Sequence, residues 1–423
     1  MKFLRNLVKP ILWFLGWVIP KRRDLVLFGQ WGGRYADNSR ALFEWMTQHS
    51  SHQVIWLYSS EKPPAVPEAI ASQVRMVKRE SLYAGWLALR ARVVVISHGH
   101  NDFGLWRHAV QRARSLMLWH AIMVKSAFLT DGSLSASRKR RYRRREARHL
   151  DAVIASSDID RYHTVAYMGV PAERVFVTGL PRQDAVFRTM EARTTTVGSG
   201  QIKILYAPTH RDTHSARQQS LFFPFTDKDE AEFAAFCQAH KIQLLMRPHP
   251  NDKASRVHVY ELAERYPDVY VPATPREVMD VAELLPQIQV LVTDYSSIYL
   301  DLLPFDIPCV FLPFDIEEYS AYRGLAYYYD LITPGPKVYT QADLTSALAE
   351  AVVGAEAWRE RRDMVTKMFF AHLDAASCER ASRLVDHLVA GTHRRAAARE
   401  AIFAAPVISS NNAGARPDLG AVR

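Results

Sequence analysis

The sequence predicts an α/β protein built from two parallel-sheet halves. Three observations predict this: continuous β-prone apolar runs alternate with helix-length segments, a polar stretch interrupts the 423 residues near the middle, and polar clusters recur just after the runs. Runs apolar on both faces that alternate with helices indicate a parallel sheet covered on both sides. The length exceeds one ordinary core and suits two domains of roughly 150 to 200 residues each. Hydrophobic content of 48% with 23% charged residues sets aside disordered and fibrous classes. The absence of a short-period repeat sets aside solenoids and propellers.

Residues 1–23 form the first segment. Its apolar run at 11–19 is too short to span a bilayer. No Ala-x-Ala-like cleavage site follows, and Lys21, Arg22 and Arg23 lie beyond the run, which argues against a signal peptide. Trp13 and Trp17, flanked by cations, make it an in-plane membrane anchor, with a first helix packed on the domain as the alternative. The first half, 24–187, contains runs at 24–29, 53–58, 93–97, 115–120, 152–157 and 174–179, the first followed by a Gly-rich turn and an amphipathic stretch at 39–49. The low-hydrophobicity stretch 188–200 is the expected linker. In the second half, 201–391, runs at 202–207, 242–247, 269–271, 289–294 and 308–312 alternate with helices at about 228–239, 276–285, 341–353 and 355–371. The Asn-, Gly- and Ala-rich end, 392–423, is expected to be a flexible tail. Two such halves describe a bilobed enzyme with a central cleft.

The formal charge of +10 favours polyanionic partners. Its densest source is 137–148, with Arg140, Arg141, Arg143, Arg144 and Arg145. That run is either a solvated helix face or a landing patch for anionic lipid headgroups or a polyphosphate acceptor, each basic residue contributing on the order of 1 kcal/mol at an anionic membrane. Cys237, Cys309 and Cys378 are few, odd in number and widely spaced, so neither a disulfide framework nor a metal site is implied, and a reducing cytoplasm fits.

Chemistry-bearing residues cluster where runs end, and the crevice beyond the carboxyl ends of parallel strands is where open α/β sheets bind ligands. His120 closes the run 115–120, with Lys125 shortly after; a histidine is suited to removing a proton from a hydroxyl near neutral pH. His98 and His100 sit at a similar junction one run earlier, and their His-x-His spacing lacks the companion ligands of a metal site. Thr209 and Arg211 lie in a sharp turn after 202–207, and the Arg211 fork suits phosphate oxygens. In Arg247-Pro248-His249-Pro250 two prolines fix a short segment, a rigidity that suits a pyrophosphate clamp or a structural salt-bridge corner. Asp294, Ser296 and Ser297 precede a helical stretch, where hydroxyls and free N–H groups form an anion site or a plain helix cap. Together these clusters indicate an enzyme acting on a phosphorylated substrate.

In their order, Leu-Tyr-Ala-Pro-Thr-His-Arg-Asp (205–212), Arg-Pro-His-Pro (247–250), Val-Thr-Asp-Tyr-Ser-Ser-Ile-Tyr-Leu-Asp (292–301), Pro-Phe-Asp-Ile-Glu-Glu-Tyr (313–319) and Arg-Gly-Leu (323–325) resemble the CDP-glycerol glycerophosphotransferase family. Thr178-Gly-Leu-Pro-Arg-Gln-Asp184 is similar to another of its segments. The resemblance implies a GT-B-like fold of two Rossmann-type domains, membrane-associated at the inner face, with the donor held mainly by the second domain. It also implies transfer of glycerol or ribitol phosphate from a CDP-polyol donor to a hydroxyl of a lipid-linked or polymeric acceptor, as in teichoic-acid and capsule synthesis. By position, His120 matches the family's acceptor-activating base, His249 its pyrophosphate histidine, and Asp294, Ser296 and Ser297 its donor-binding element. The chain departs from the family at Trp119-His120-Ala-Ile-Met-Val-Lys125, where Trp-His-Gly-Thr-Pro-x-Lys is usual. The family's long N-terminal regions are abbreviated, so single transfer is expected ahead of polymerisation.

The expected mechanism is in-line attack on the β-phosphorus with CMP leaving. Arg211, Arg247, His249 and the N–H groups near Ser296 disperse phosphate charge. No cofactor is expected beyond Mg²⁺ accompanying the donor, and no nucleic-acid partner. Two other classes compete: a GT-B nucleotide-sugar glycosyltransferase, and a non-enzymatic polyanion binder using 137–148.

Overall fold

The structure is a computed structural model that describes residues 2–193, 200–209, 224–249, 252–278, 280–353 and 356–393. The first lobe comprises α1 (Lys2–Val18), β1 (Arg22–Phe28), α2 (Asp37–His49), β2 (Gln53–Tyr58), β3 (Met76–Lys78), α3 (Leu82–Arg90) and β4 (Ala91–Ile96). It continues through α4 (Arg107–Val110), β5 (Arg114–Met117), α5 (Ala136–Arg145), β6 (Ala152–Ala155), α6 (Asp158–Met168), β7 (Val175–Val177) and α7 (Gln183–Arg193). The second lobe runs β8 (Ile202–Tyr206), α8 (Glu230–Ala239), β9 (Ile242–Met246), α9 (Lys253–Arg265), β10 (Tyr270–Pro272), β11 (Val290–Thr293) and β12 (Cys309–Phe311). After it come α10 (Ile316–Arg323), α11 (Tyr329–Ile332), α12 (Gln341–Val352), α13 (Arg359–Phe369) and α14 (Ser377–Ala390).

Both sheets are parallel, ordered β3-β2-β1-β4-β5-β6-β7 and β10-β9-β8-β11-β12. The expected two Rossmann-type lobes of a GT-B-like fold are therefore present. Strand order reverses between β1 and β4 and again between β8 and β11, and it is at such reversals that loops splay apart and leave a ligand crevice. Val26, Val93 and Val95 of the first sheet and Leu205, Leu291 and Phe311 of the second lie in one continuous buried core, so the lobes pack rather than hang from a tether.

Several boundaries differ from expectation. The run 115–120 leaves the sheet at Met117, because Trp119 adopts a left-handed backbone (φ 52°) that cannot continue a strand. The helix expected at 276–285 is instead two short 3-10 turns, Val281–Glu283 and Leu285–Gln287. Asp280 accepts the Ala282 N–H and Pro286 has no N–H to donate, so no α-helical ladder propagates. The helix expected after Ser297 is a five-residue 3-10 helix, Ser297–Asp301. Of the expected linker, 188–193 completes α7 and 194–199 lies outside the described residues, as does the tail from 394.

The boundary at 391 needs a larger correction, because α14 belongs to the first lobe. Cys378, Ala381, Leu384, Val385 and Leu388 are all buried in the shared core. The Ala371 N–H donates to the Ser156 carbonyl (2.9 Å) and Arg380 Nε to the Thr178 carbonyl (2.7 Å). Asp184, the last residue of the Thr178–Asp184 segment, accepts the Ser377 and Cys378 N–H groups at 2.9 and 2.7 Å and so caps α14. Asp184→Ala leaves two buried N–H groups unpaired and is expected to lower stability by about 2–4 kcal/mol in urea titration.

Candidate functional site

On the first lobe, Ser97–Asp102 follows β4 and Leu118–Ser126 follows β5. The Asp102 carboxylate accepts the backbone N–H groups of Ser97 and His98 (2.7 and 2.9 Å), which locks the turn after β4. The Ser97 hydroxyl lies 2.8 Å from His98 Nδ1. After β5, Asn38 Nδ2 donates to the Trp119 carbonyl at 3.1 Å and holds the left-handed residue in place. These two supports bring His98 and His120 face to face, with ring centroids 4.5 Å apart and planes within 8°. Trp119 borders both rings, at 5.3 Å from His98 and 4.3 Å from His120. His120 Nδ1 is buried without a hydrogen-bond partner among the described residues.

Burial lowers the His120 imidazole to about 3, and the neighbouring His98, Arg182 and Lys125 add to the effect. Burial, then Arg34, lowers His98 to about 4. Both rings are therefore neutral near pH 7, and a neutral imidazole can accept a proton.

Arg182 joins this cluster to the second lobe. Its Nη2 donates to both carboxylate oxygens of Asp301 (2.9 and 2.6 Å), and its Nη1 to the His120 carbonyl (2.6 Å) and to Asp37 Oδ1 (3.3 Å). Gln183 Nε2 adds a bond to Asp301. Asp37 has a left-handed backbone (φ 66°), and burial pushes its carboxyl up to about 6 against the pull of Arg182. Its N–H points to Asp280 of the second lobe (3.3 Å), and Arg40 bridges to Glu283.

The segment after His120 is pinned from the same side. The Ser126 N–H donates to the Gly324 carbonyl and the Ala326 N–H to the Val124 carbonyl, forming an antiparallel bridge between Lys125 and Leu325. Gly324 has φ 73°, and a Cβ there would lie 2.7 Å from the Ser126 hydroxyl, so only glycine fits. Ile122 and Val124 are buried in the shared core, and Met123 packs against a second cluster of the first lobe. Apolar burial on two sides therefore holds this loop in place.

On the second lobe, Asp294 is buried after β11. Its Oδ1 accepts the N–H groups of Thr209 (2.8 Å) and Tyr295 (2.6 Å), which ties the turn after β8 to the turn after β11. Tyr329 donates to the Asp294 carbonyl, and Tyr295 stacks on Tyr319 at 4.1 Å, with Lys125 of the first lobe over the Tyr319 ring. Ser296 caps the short 3-10 helix through the Ile298 N–H at 3.5 Å, and Ser297 begins it. So short a helix carries little dipole, and anion binding here would rest on hydroxyls and local N–H groups.

Arg247 follows β9, and its Nη1 donates to the Ala273 and Val278 carbonyls (2.8 and 2.6 Å), bracing the segment after β10. His249 is exposed at the end of the same turn. The structure thus unites Thr209 and Asp294 directly, and places Arg247, His249, Ser296 and Ser297 along the same sheet edge. Arg211 lies outside the described residues. Arg140, Arg141, Arg143, Arg144 and Arg145 lie on α5, and several line a cavity of about 450 Å³ with Lys9 and Arg107. Among the described residues no group of three or more His, Cys, Asp or Glu side chains is placed to hold a metal ion.

Sequence reasoning did not assign roles to Asp37, Asn38, Arg182 and Asp301. Arg182 and Asp301 stood inside quoted motifs, which was the available signal. Two outcomes are expected. Arg182→Ala strips a largely buried pair of its cation and is expected to cost about 3–5 kcal/mol in urea titration. An unfolded imidazole titrates near 6.5, whereas folded His120 titrates at about 3. The unfolded chain therefore binds more protons between these values, and the stability contribution present above pH 6.5 is lost as pH falls. His120→Asn should shrink the loss of denaturation midpoint between pH 7 and 5.

Comparison with known proteins identifies the fold and the family. The family model described as CDP-Glycerol:Poly(glycerophosphate) glycerophosphotransferase matches residues 11–387. The teichoic acid glycerol-phosphate transferase of Staphylococcus aureus (strain NCTC 8325 / PS 47) is 26% identical over 381 residues, 85% of this chain and 92% of that one. The teichoic acid poly(glycerol phosphate) polymerase of Bacillus spizizenii (strain ATCC 23059 / NRRL B-14472 / W23) is 23% identical over 369 residues, 82% of this chain and 89% of that one. The solved wall teichoic acid polymerase TagF superposes with a TM-score of 0.71 at 19% identity, covering 88% of this chain and 90% of that one. With its two switch-point crevices and a family match over most of its length, the chain belongs to the CDP-glycerol:poly(glycerophosphate) glycerophosphotransferase family.

Proposed function

We propose that the chain transfers glycerol phosphate from CDP-glycerol to a hydroxyl of a lipid-linked or polymeric cell-surface acceptor and releases CMP, working at the inner face of the membrane. One observation carries this reading: a neutral histidine after β5 and a polar cluster after β8, β9 and β11 are tied across the lobes by Arg182 and by the pairing of 124–126 with 324–326. A base on one lobe and anion-holding groups on the other suit a reaction between two bound substrates.

In this reading His120 takes the proton of the acceptor hydroxyl as its oxygen bonds to the β-phosphorus. The bond from that phosphorus to the bridging oxygen breaks, and CMP leaves with the electron pair. His249, Arg211, Ser296 and Ser297 disperse the charge on the diphosphate, where most catalysis of phosphoryl transfer lies. Arg247 fixes the segment beside them through its two carbonyl bonds. Any Mg²⁺ would arrive with the donor.

Membrane docking is the second part of the proposal. No helix among the described residues is long and apolar enough to cross a membrane. Helix α1 exposes Ile11, Trp13, Phe14, Trp17 and Val18, and α3, which packs beside it, exposes Leu82 and Trp86. The arginines of α5 supply attraction for anionic headgroups.

Purified enzyme with acceptor should release CMP from CDP-glycerol and no UDP from UDP-sugars; the reverse would establish sugar transfer instead. His120→Asn should lower kcat by about 10²- to 10⁴-fold with the fold intact by circular dichroism. EDTA should leave a measurable rate. Replacing Trp13 and Phe14 by serine should reduce sedimentation with anionic vesicles, and unchanged binding would remove α1 from the docking surface.

A further inference from the structure

The His98 ring has no place in the transfer described above, yet it lies nearly parallel to the ring of the proposed base. Its plane lies within 8° of the His120 plane at 4.5 Å, so the rings meet flat rather than edge to face. Three supports fix it: the Asp102 carboxylate on its backbone N–H, the Ser97 hydroxyl at Nδ1, and the Trp31 and Trp119 rings at 5.8 and 5.3 Å. Ser97 is itself held by Asp102 and by the Trp31 N–H, so the turn is built around this ring. His120, by contrast, has an unpartnered Nδ1 among the described residues and no bond that would orient its plane.

We propose that His98 is a positioning residue for the acceptor-site base, its ring fixing the plane of the His120 imidazole and excluding a second proton from the pair. Two imidazolium rings stacked at this distance would repel strongly where water is largely excluded. The charged groups facing the pair favour the neutral state. Arg34 comes from the turn after β1, Arg182 from the start of α7 and Lys125 from the loop after β5. Of the nearby carboxylates, Asp102 takes backbone N–H groups on Oδ2, and Asp37 and Asp301 are paired with Arg182. His120 therefore stays ready to accept the one proton the reaction delivers, and His98 remains neutral beside the imidazolium that forms.

This inference rests on the reading of His120 as the base, and the test separates the two. Full-length protein labelled with ¹³C-histidine is titrated by NMR, with the His120 signal assigned by its loss in His120→Asn. The His120 midpoint is expected to rise by at least one pH unit in His98→Asn, with the acid limb of kcat/KM for the acceptor moving upward alongside it. His98→Phe, which keeps a flat ring and carries no charge, should retain more transfer than His98→Asn and serves also if the latter folds poorly. A His120 midpoint unmoved in both variants, or an acid limb that stays in place while the midpoint shifts, would overturn the positioning role. Full transfer by His120→Asn, with the midpoint still responding to His98, would instead remove the base and leave only the pairing.

Discussion

The Arg182 guanidinium is the constraint on which the site depends. It holds Asp301 of the second lobe bidentately, reaches Asp37, and donates to the carbonyl of His120 itself. A planar fork with five donors can serve three acceptors in one plane, which a lysine cannot. Arg182 thus links the backbone of His120 to Asp301 of the second lobe through one side chain. Such pairs contribute little net stability after desolvation, but they specify geometry, because removing a partner leaves a buried charge uncompensated.

A second tie works through backbone. Gly324 occupies a conformation and a space that exclude a side chain, and it lets 324–326 pair with 124–126. Beside it, Lys125 lies over Tyr319, whose partner Tyr295 follows the donor-side Asp294. The loop bearing the proposed base and the turn proposed to hold the diphosphate therefore meet through a short chain of contacts. As a member of its family the chain is an enzyme, and these contacts bring the turns of two sheets with separate switch points together.

Much of the fold was legible in the sequence, because buried parallel strands leave continuous apolar runs and each run is punctuated where it leaves the sheet. Strand β3 was missed because Met76-Val77-Lys78 sits between Arg75 and Arg79 and leaves no continuous apolar run, and the helix expected near 276–285 failed on Pro286 and the Asp280 cap. The destination of α14 could not be read at all: its amphipathic face says that it packs, while the sheet it covers is decided by tertiary contacts such as the Asp184 cap. For the site, the residue types at strand ends were visible as motifs. Their pairings were not, since the His98–His120 stack and the Arg182–Asp301 bridge join residues 22 and 119 apart in sequence through turns whose geometry no local pattern encodes.

The central claim is that the carboxyl edge of the second sheet holds the diphosphate of a CDP-polyol facing His120. A crystal soaked with CDP-glycerol tests it most directly. The account predicts diphosphate density bounded by Thr209, His249 and Ser296, with the glycerol end toward the first lobe. Ligand bound elsewhere, with those three residues untouched, would contradict it.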